Sequence, residues 1–401
     1  MRSGKLSLNR RRFIKNGIQG VTGALVAGGM LRHQLFSEEV TNKGQWVYRT
    51  LGRTGLKLPV VSLGGPRDPA LITAALDRGI RHINTSPEYE KGNQETMIGE
   101  TLKNRSRHSF VLATGFPMWR KPKDQTKAFT QADITGSLEA SLRRFNLDFV
   151  DIFYLMGVSG REAVLHPPFM EAMASLKKNG KTRFIGLSAH QNEPEVLSAS
   201  IEGRIYDVVL TAYNFRKIYK EEIQSAITAA DKAGLGIIVM KTQAGVFWDH
   251  RTKDMINMKA ALKWAVRDRS VHTAVPEFAS LEELNAGISV MENLELTPED
   301  IRDLRLEEGS SPAGLFCQNC QACLSQCRGD FDIPTIMRSY MYRYGYRNPL
   351  KAKRAIEHLD PSRILCADCP DCSVQCRAGF NVKERVLDIM RIQAVPDSFL
   401  G

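Results

Sequence analysis

The chain has 401 residues and a hydrophobic fraction of 43%, so it is long enough for two or three globular domains with ample cores. Its net charge is +11, but residues 1–36 supply seven positive charges and no acid, which leaves +4 on the rest of the chain. Because the basic balance is concentrated in one terminal segment, the composition gives no reason to expect nucleic-acid binding.

The first predicted element is a basic segment followed by a weakly apolar, glycine-rich run. Asn9 to Lys15 reads Asn-Arg-Arg-Arg-Phe-Ile-Lys, and the apolar run extends from Gly17 to Leu31. Paired arginines with Phe two places later, then Ile and Lys, resemble a twin-arginine export signal. The apolar run is short for a membrane span, which needs about 20 residues. We therefore expect residues 1–40 to be a signal segment, with a basic disordered N terminus as the alternative.

The fate of this segment decides where the protein resides. No clear A-x-A cleavage site occurs between Arg32 and Val40. The sequence predicts export by the twin-arginine pathway, which carries proteins that are already folded and loaded with cofactor. The mature protein is then periplasmic, or it is tethered on the outer side of the membrane by an uncleaved signal.

Short apolar runs alternate with amphipathic ones from Trp46 to about Thr297. The apolar runs are continuous and rich in β-branched and aromatic residues, as is typical of strands buried on both faces. The predicted strands are Val60–Gly64, His82–Ser86, Phe110–Phe116, Phe149–Met156, Arg183–Ala189, Val208–Asn214, Gly236–Thr242 and His272–Phe278. The predicted helices include Pro69–Arg78, Glu95–Lys103, Gln131–Phe145, Pro168–Lys178, Lys220–Ala233, Met255–Arg267 and Leu281–Glu292. This alternation predicts a (β/α)8 TIM barrel over residues 46–300, with its chemistry at the C-terminal ends of the strands.

Several of these segments resemble the aldo-keto reductase family. They are Tyr48–Leu56, Val61–Gly65, His82–Tyr89, Glu95–Gly99, Phe184–His190 and Ala261–Ala265. The resemblance implies an NADPH-dependent carbonyl reductase with an Asp-Tyr-Lys-His tetrad. It places that tetrad at Asn84, Tyr89, Gly115 and Met156, so only the tyrosine is retained. A tyrosine of pKa about 10 without a neighbouring cation donates a proton poorly at neutral pH.

The positions that the resemblance assigns to the nicotinamide cofactor also differ from the family pattern. Ala189 and Leu210 replace polar partners of the carboxamide, Lys241 replaces a stacking tyrosine, and Glu277 brings an acid to the phosphate loop. An acid near a phosphate is repulsive. The sequence therefore predicts that NADP(H) binds weakly or not at all.

Polar residues nonetheless remain at the strand ends. We predict Tyr89, Lys241 and His190 as catalytic residues and Ser188, Tyr213 and Asn214 as cofactor-binding residues. Lys241 could restore a cation beside Tyr89; the alternative is a lysine paired with Glu88 or Glu277. For His190 the alternative is an ordinary hydrogen-bonded loop histidine.

All eight cysteines lie near the C terminus, in two runs with the same C-x2-C-x2-C-x3-C spacing. The runs are Cys317, Cys320, Cys323, Cys327 and Cys366, Cys369, Cys372, Cys376. This spacing places thiolates around iron-sulfur clusters in bacterial ferredoxins. It predicts two [4Fe-4S] clusters, while zinc and disulfides remain alternatives. By the crossed ligation of two-cluster ferredoxins, Cys376 would complete the first set and Cys327 the second.

The segments around the cysteines read as helices rather than strands. They are Pro334–Tyr344, Leu350–His358 and Val382–Gln393, the first with proline at its N terminus. Residues 312–401 are therefore predicted to be a small all-helical ferredoxin-like domain. The whole chain resembles aldo-keto reductase-like proteins with a C-terminal ferredoxin domain.

Two hypotheses for function follow. In the first, the protein is an iron-sulfur oxidoreductase whose barrel binds an organic substrate and whose clusters exchange electrons with a redox partner protein. In the second, the barrel is non-catalytic and serves as an electron-transfer or docking subunit of a redox complex.

Overall fold

The computed structural model describes residues 46–120, 125–244, 257–304, 306, 317–329, 331–364 and 366–400. The predicted signal segment, residues 1–40, lies outside the described residues, and so do its cleavage and any tether. Among the described residues, no helix combines the length and the apolar character that a bilayer crossing requires.

Eight parallel strands form one sheet in the order of the chain, from β3 to β10. A parallel bridge between Val61 and Ala274 joins the two ends of this sheet and closes it into a barrel. A preceding antiparallel hairpin, β1 (Tyr48–Thr50) and β2 (Lys57–Pro59), forms a separate two-stranded sheet. The barrel strands are β3 (Leu63–Gly64), β4 (His82–Asn84), β5 (Val111–Pro117), β6 (Val150–Met156), β7 (Thr182–Ala189), β8 (Val208–Ala212), β9 (Gly236–Met240) and β10 (Thr273–Ala274). The predicted (β/α)8 barrel is confirmed.

Helices alternate with these strands and lie outside them. They are α1 (Pro69–Asp77), α2 (Asn93–Leu102), α3 (Gln125–Ala128), α4 (Gln131–Phe145), α5 (Arg161–Val164), α6 (Pro167–Lys178), α7 (Glu193–Gly203), α8 (Lys220–Lys232), α9 (Met258–Val266), α10 (Leu281–Val290) and α11 (Pro298–Asp303). Local signals set their ends: Thr130 and Asp133 form a reciprocal capping box at the start of α4. The left-handed Asn146 ends the same helix.

Two apolar layers hold the barrel together. The larger lies between the strands and the outer helices and includes Ile72, Leu138 and Phe169. The smaller fills the barrel interior, where Tyr154 and Leu58 are at most 1% exposed. Since Leu58 belongs to β2, the hairpin contributes to the interior of the barrel and its packing there removes apolar surface from water.

Residues 317–400 form three helices, α12 (Ile333–Tyr344), α13 (Pro349–Ile356) and α14 (Val382–Met390). Each helix begins and ends within three residues of its predicted bounds. The last residues of the third predicted helix form a 3-10 turn, Arg391–Ala394, instead of continuing α14. No strand occurs in the described part of this region. Its apolar core also contains Phe215 and Ala260 of the barrel region, so the helices pack directly against the barrel.

Candidate functional site at the barrel mouth

The C-terminal ends of the barrel strands, here called the barrel mouth, are covered by the helices that follow the barrel. Lys241 comes directly after β9, His190 directly after β7, and Tyr89 lies in a 3-10 turn after β4. Tyr342 of α12 and Lys351 of α13 reach these residues from the C-terminal region.

Lys241 has a backbone conformation that side-chain-bearing residues rarely adopt. Its φ is 59°, in the left-handed region, where a non-glycine residue is strained by roughly 1–3 kcal/mol. Its carbonyl oxygen accepts hydrogen bonds from Asn214 Nδ2 at 3.1 Å and from the amide of Ala244 at 2.9 Å. Asn214, predicted to bind cofactor, is therefore placed to hold the backbone of Lys241.

The side chain of Lys241 points to the C-terminal region. Its Nζ donates a long hydrogen bond of 3.5 Å to Tyr342 Oη and lies 5.6 Å from the centre of the Tyr342 ring. The predicted alternative partner Glu277 instead pairs with Arg67 at 2.6 Å and with Lys351 at 3.0 Å.

Lys351 lies at the centre of an aromatic cluster. Its Nζ is 5.0 Å from the ring centre of Tyr342, 5.7 Å from that of Tyr89 and 5.9 Å from that of Tyr346. Cation–π attraction acts over such distances. Together with its ion pair to Glu277, this arrangement places α13 over Tyr89.

The two tyrosines nearest these lysines differ in acidity. Burial by itself would raise the pKa of Tyr342, but the charges of Lys241, Lys351 and Arg338 outweigh burial and lower it to about 8. For Tyr89, burial dominates and raises the pKa, although Lys351 opposes this. Of the two, Tyr342 is therefore the better proton donor near neutral pH.

A cavity of about 420 Å³, counting space open to solvent, lies between the barrel mouth and the first cysteine run. Its charged lining consists of Lys217, Lys241 and Arg338, and His190 and Cys317 also contact it. Burial lowers the pKa of His190 well below its usual value, and the three cations lower it further. His190 is thus a neutral imidazole at neutral pH.

Ser188 and Tyr213 have structural partners. Ser188 Oγ accepts a hydrogen bond from the amide of Gly157 at 3.0 Å. The Tyr213 ring packs on Trp264 with ring centres 4.8 Å apart, and its hydroxyl donates to Asp268 at 3.4 Å. Neither residue is among those lining the cavity.

The space above Gly115, where the resemblance places a lysine, is occupied. A Cβ built on Gly115 would lie 2.5 Å from Met156 Cγ and even closer to the Tyr154 carbonyl. Met156 is buried, so the room beside Gly115 is filled. The Oδ1 atom of Asn84, at the end of β4, is buried without a hydrogen-bond partner in the described chain.

The cysteines of the two runs interleave. Cys317, Cys320, Cys323 and Cys376 line one cavity of about 400 Å³, counting space open to solvent. The pKa of Cys317 is raised to about 11, chiefly by burial and in smaller part by the neighbouring Cys376 and Cys320. The fourth cysteine of the second run therefore accompanies the first three of the first run.

The remaining cysteines form a second group. The pKa of Cys366 is raised to about 11, chiefly by burial and in smaller part by Cys327, Cys372 and Cys369. The amide of Gly329 donates to Cys327 Sγ at 3.4 Å.

No disulfide joins any of the eight cysteines. In the described chain, no three of His, Cys, Asp and Glu are close enough to ligate a single metal ion. Four thiolates that each bind a different iron of a cubane are more widely spaced than four ligands of one ion.

A buried polar network joins the first cysteine run to the barrel. Lys217 Nζ donates to Glu193 at 2.7 Å, to Tyr219 Oη at 2.9 Å and to the Gln318 carbonyl at 3.0 Å. Asn319 Nδ2 donates to the His190 carbonyl at 2.9 Å. These bonds fix the cysteine run against the strand ends.

Three of these site residues were not predicted from the sequence: Tyr342, Lys351 and Arg338. Arg338 and Tyr342 lie four residues apart and so share a face of α12, but this spacing is also that of an ordinary helix surface. Their role depends on contacts with residues about a hundred positions away, so the local sequence carried no signal for it.

Comparison with known proteins finds similarity in the barrel. Residues 68–260 match the model described as "Aldo/keto reductase family". This part of the chain is therefore similar to the aldo/keto reductase family. The matched residues end before the first cysteine.

Similar sequences include an uncharacterized oxidoreductase, YqkF of Bacillus subtilis, 23% identical over 64% of this chain and 95% of that protein. The L-galactose dehydrogenase of Arabidopsis thaliana is 33% identical over 35% of this chain and 47% of that protein. The L-glyceraldehyde 3-phosphate reductase of Escherichia coli K12 is 29% identical over 37% of this chain and 47% of that protein. For the last two, the chain spans about half of the relative's length.

Similar structures include aldo-keto reductase AKR11C1 from Bacillus halodurans, with a TM-score of 0.54 and 20% identity over 67% of this chain and 97% of that one. The aldo-keto reductase from Klebsiella pneumoniae in complex with NADPH has a TM-score of 0.51 and 22% identity over 64% of this chain and 93% of that one. At this identity the likeness establishes the aldo-keto reductase fold alone.

Proposed function

We propose that this protein is an exported iron-sulfur oxidoreductase with an aldo-keto reductase-like barrel. Its barrel mouth binds an organic substrate, and two [4Fe-4S] clusters connect that site to a redox partner protein. The observation that carries the proposal is the interleaving of the two cysteine runs, with Cys376 beside the first three cysteines of the first run. That grouping is the one that crossed ligation requires.

The donor set fits the proposed clusters. Each group supplies four sulfur ligands, and thiolates are the ligands that iron-sulfur clusters use. The raised pKa values of Cys317 and Cys366 indicate thiols that stay protonated unless a cation binds them. When bound, the clusters supply electron transfer.

The chain's own residues supply the remaining functions. Lys241 and His190 contact the cavity in which the substrate binds, and Cys317 brings the first cluster to the same cavity. Tyr342 holds the transferable proton on its phenolic oxygen, because its pKa of about 8 lies close to neutral pH. Tyr89, buried beneath Lys351, supports the position of that lysine through its ring.

Several features weigh against an NADPH-dependent reductase. Met156 occupies the space that a lysine at position 115 would need. Glu277 carries its charge to the predicted phosphate region and is already paired with Arg67 and Lys351. The Klebsiella pneumoniae protein of the same fold was solved with NADPH, and use of that cofactor by this barrel is the competing proposal.

The second candidate function is a non-catalytic barrel that docks or conducts electrons within a redox complex. The coverage of Tyr89 by Lys351 favours it, since the retained tyrosine of the family pattern is then screened by α13. The two proposals share the clusters and differ in whether the cavity binds an organic molecule.

The test begins with anaerobic purification of protein assembled in the cytoplasm. We expect about eight irons and eight acid-labile sulfides per chain, with electron paramagnetic resonance signals of two reduced clusters. Zinc without labile sulfide would overturn the proposal.

Crossed ligation gives a sharper test. Replacing Cys317 or Cys376 by Ala should remove the same cluster signal, and the double variant should lose no more iron than either single variant. Cys327→Ala, although in the same run as Cys317, should remove the other signal. If Cys317 and Cys327 variants lose the same signal instead, the ligation is not crossed.

A further inference from the structure

The cavity at the barrel mouth has an unbalanced charge. Lys217 is neutralised by Glu193 at 2.7 Å, whereas in the described part of the chain the side chains of Lys241 and Arg338 form hydrogen bonds with hydroxyl groups, those of Tyr342 and Thr335. Among the described residues that line the cavity, none is a carboxylate. A space bordered by two such cations attracts negative charge.

We propose that this cavity is a binding site for a small organic anion, a carboxylate held by Lys241 and Arg338. Arg338 offers the paired donors that a carboxylate accepts, and Lys241 adds a point charge. That the bound anion is also the redox substrate rests on the proposed function.

The backbone of Lys241 supports this assignment. Its left-handed conformation is held by hydrogen bonds from Asn214 and Ala244 to its carbonyl oxygen. A strained residue held by its surroundings is common at ligand sites. Here the residue with the left-handed backbone borders the cavity.

An anion in the cavity would be coupled to Tyr342. The groups that face this phenol are Lys241 from the end of β9, Lys351 from α13, Arg338 from its own helix, and Tyr89 and Tyr346, with Glu277 beyond Lys351. A bound carboxylate near Lys241 offsets part of the positive potential, so it raises the pKa of Tyr342. By linkage, the anion binds more tightly when Tyr342 is neutral, below about pH 8, than when it is a phenolate.

The experiment is calorimetric titration of the full-length protein, as purified anaerobically, with malonate and with its neutral isostere malonamide. We expect malonate to bind with a dissociation constant below about 1 mM at pH 7 and malonamide not to bind. Lys241→Met and Arg338→Met should each weaken malonate about tenfold or more. Lys232→Met, which removes an exposed lysine of α8, should leave the affinity unchanged.

The pH dependence separates this site from a general attraction to a basic surface. In the wild type, the affinity for malonate should decrease between pH 7 and pH 9. The substitution Tyr342→Phe should abolish most of that decrease. Circular dichroism spectra of the variants check that each is folded. Equal binding of malonate and malonamide, or equal affinity of Lys241→Met, Arg338→Met and wild type, would overturn the proposal.

The alternative explanation is that Lys241 and Arg338 only offset the charge of a cluster at Cys317. It predicts that both substitutions shift the reduction potential of a cluster and that malonate does not bind the wild type. That result would reject the anion site and leave the proposed function intact. Conversely, malonate binding at these two residues in protein without iron would support the site while the proposed function failed.

Discussion

Gly115 shows at the residue scale why the barrel interior departs from the family pattern. The position lacks a side chain because Met156 and the Tyr154 carbonyl occupy the space where a Cβ would lie. A close-packed interior cannot accept an extra methyl group without displacement of its neighbours. Gly115 and Met156 are thus parts of one packing arrangement.

Gly115→Ala should lower the free energy of unfolding by about 1–3 kcal/mol, the usual cost of overpacking a core. Gly136→Ala is the matched control, because a Cβ at Gly136 in α4 meets nothing within 4 Å. In a helix, that change should be neutral or stabilise by roughly 0.5–1 kcal/mol. Urea unfolding measures both, and equal effects of the two substitutions would contradict this packing argument.

The cofactor prediction also belongs to the residue scale. Ala189 and Leu210 lack the polar groups expected to bind the carboxamide, and each lost hydrogen bond costs roughly 0.5–1.5 kcal/mol. Glu277 brings an acid to the phosphate loop that the resemblance predicts, where Arg67 and Lys351 pair with it. We expect NADPH and NADH to bind with dissociation constants of about 1 mM or weaker, which corresponds to about −4 kcal/mol.

Calorimetric titration of cluster-loaded protein measures this affinity. The Klebsiella pneumoniae reductase solved with NADPH serves as the positive control. Micromolar binding of NADPH together with reduction of a simple aldehyde would contradict this prediction and support an NADPH-dependent reductase.

At the scale of elements, the segment between β8 and α8 connects the barrel to the first cysteine run. The side chain of Lys217 is 1% exposed and pairs with the fully buried side chain of Glu193 at the start of α7. The same ammonium donates to the Gln318 carbonyl beside Cys317. A buried charge of this kind is costly unless every partner is present.

Lys217→Met should therefore destabilise the protein by about 3–5 kcal/mol, because Glu193 is left as an unpaired buried charge. Lys220→Met is the control: its ion pair with Glu221 is exposed, and such pairs contribute at most about 1 kcal/mol. Thermal unfolding followed by circular dichroism compares the two. A second substitution, Glu193→Gln, should recover part of the loss; no recovery would show that the charge pair is not the cause.

At the scale of the whole molecule, barrel and C-terminal helices share a core and a site. The core that contains α12 and α14 also includes Phe215 and Ala260 of the barrel chain. The barrel mouth is completed by Tyr342 and Lys351, so neither part contains the site alone. Clusters assembled before export would be transported within this folded unit.

Replacing Arg11 and Arg12 together by Lys should block export. The reason is that Lys keeps the charge but lacks the planar guanidinium geometry that a twin-arginine receptor would read. Cell fractionation with an antibody to the protein measures the outcome, with Lys5→Arg as the control that keeps the arginines. If the double variant is still found outside the cytoplasm, residues 1–40 are not a twin-arginine signal.

The sequence alone determined the barrel and most of its elements, because continuous apolar strands and amphipathic helices have distinct periods that are local properties. The structure confirmed α4 at its predicted bounds, Gln131–Phe145. Cysteine spacing likewise singled out two four-cysteine sets, and the structure brings Cys376 beside the first run. The sequence pattern did not delimit α7, which follows the left-handed Asn192 and has proline in its first turn.

Only the tertiary structure decided what covers the barrel mouth. Tyr342 and Lys241 are 101 residues apart, and no local pattern records which lysine approaches which phenol. The acidity of Tyr342 is likewise a sum over charges from β9, α12 and α13. Electrostatic properties depend on distances between elements, whereas periodicity and spacing are local properties of the sequence. For this reason the residues that complete the candidate site, Tyr342, Lys351 and Arg338, were identified only in the folded chain.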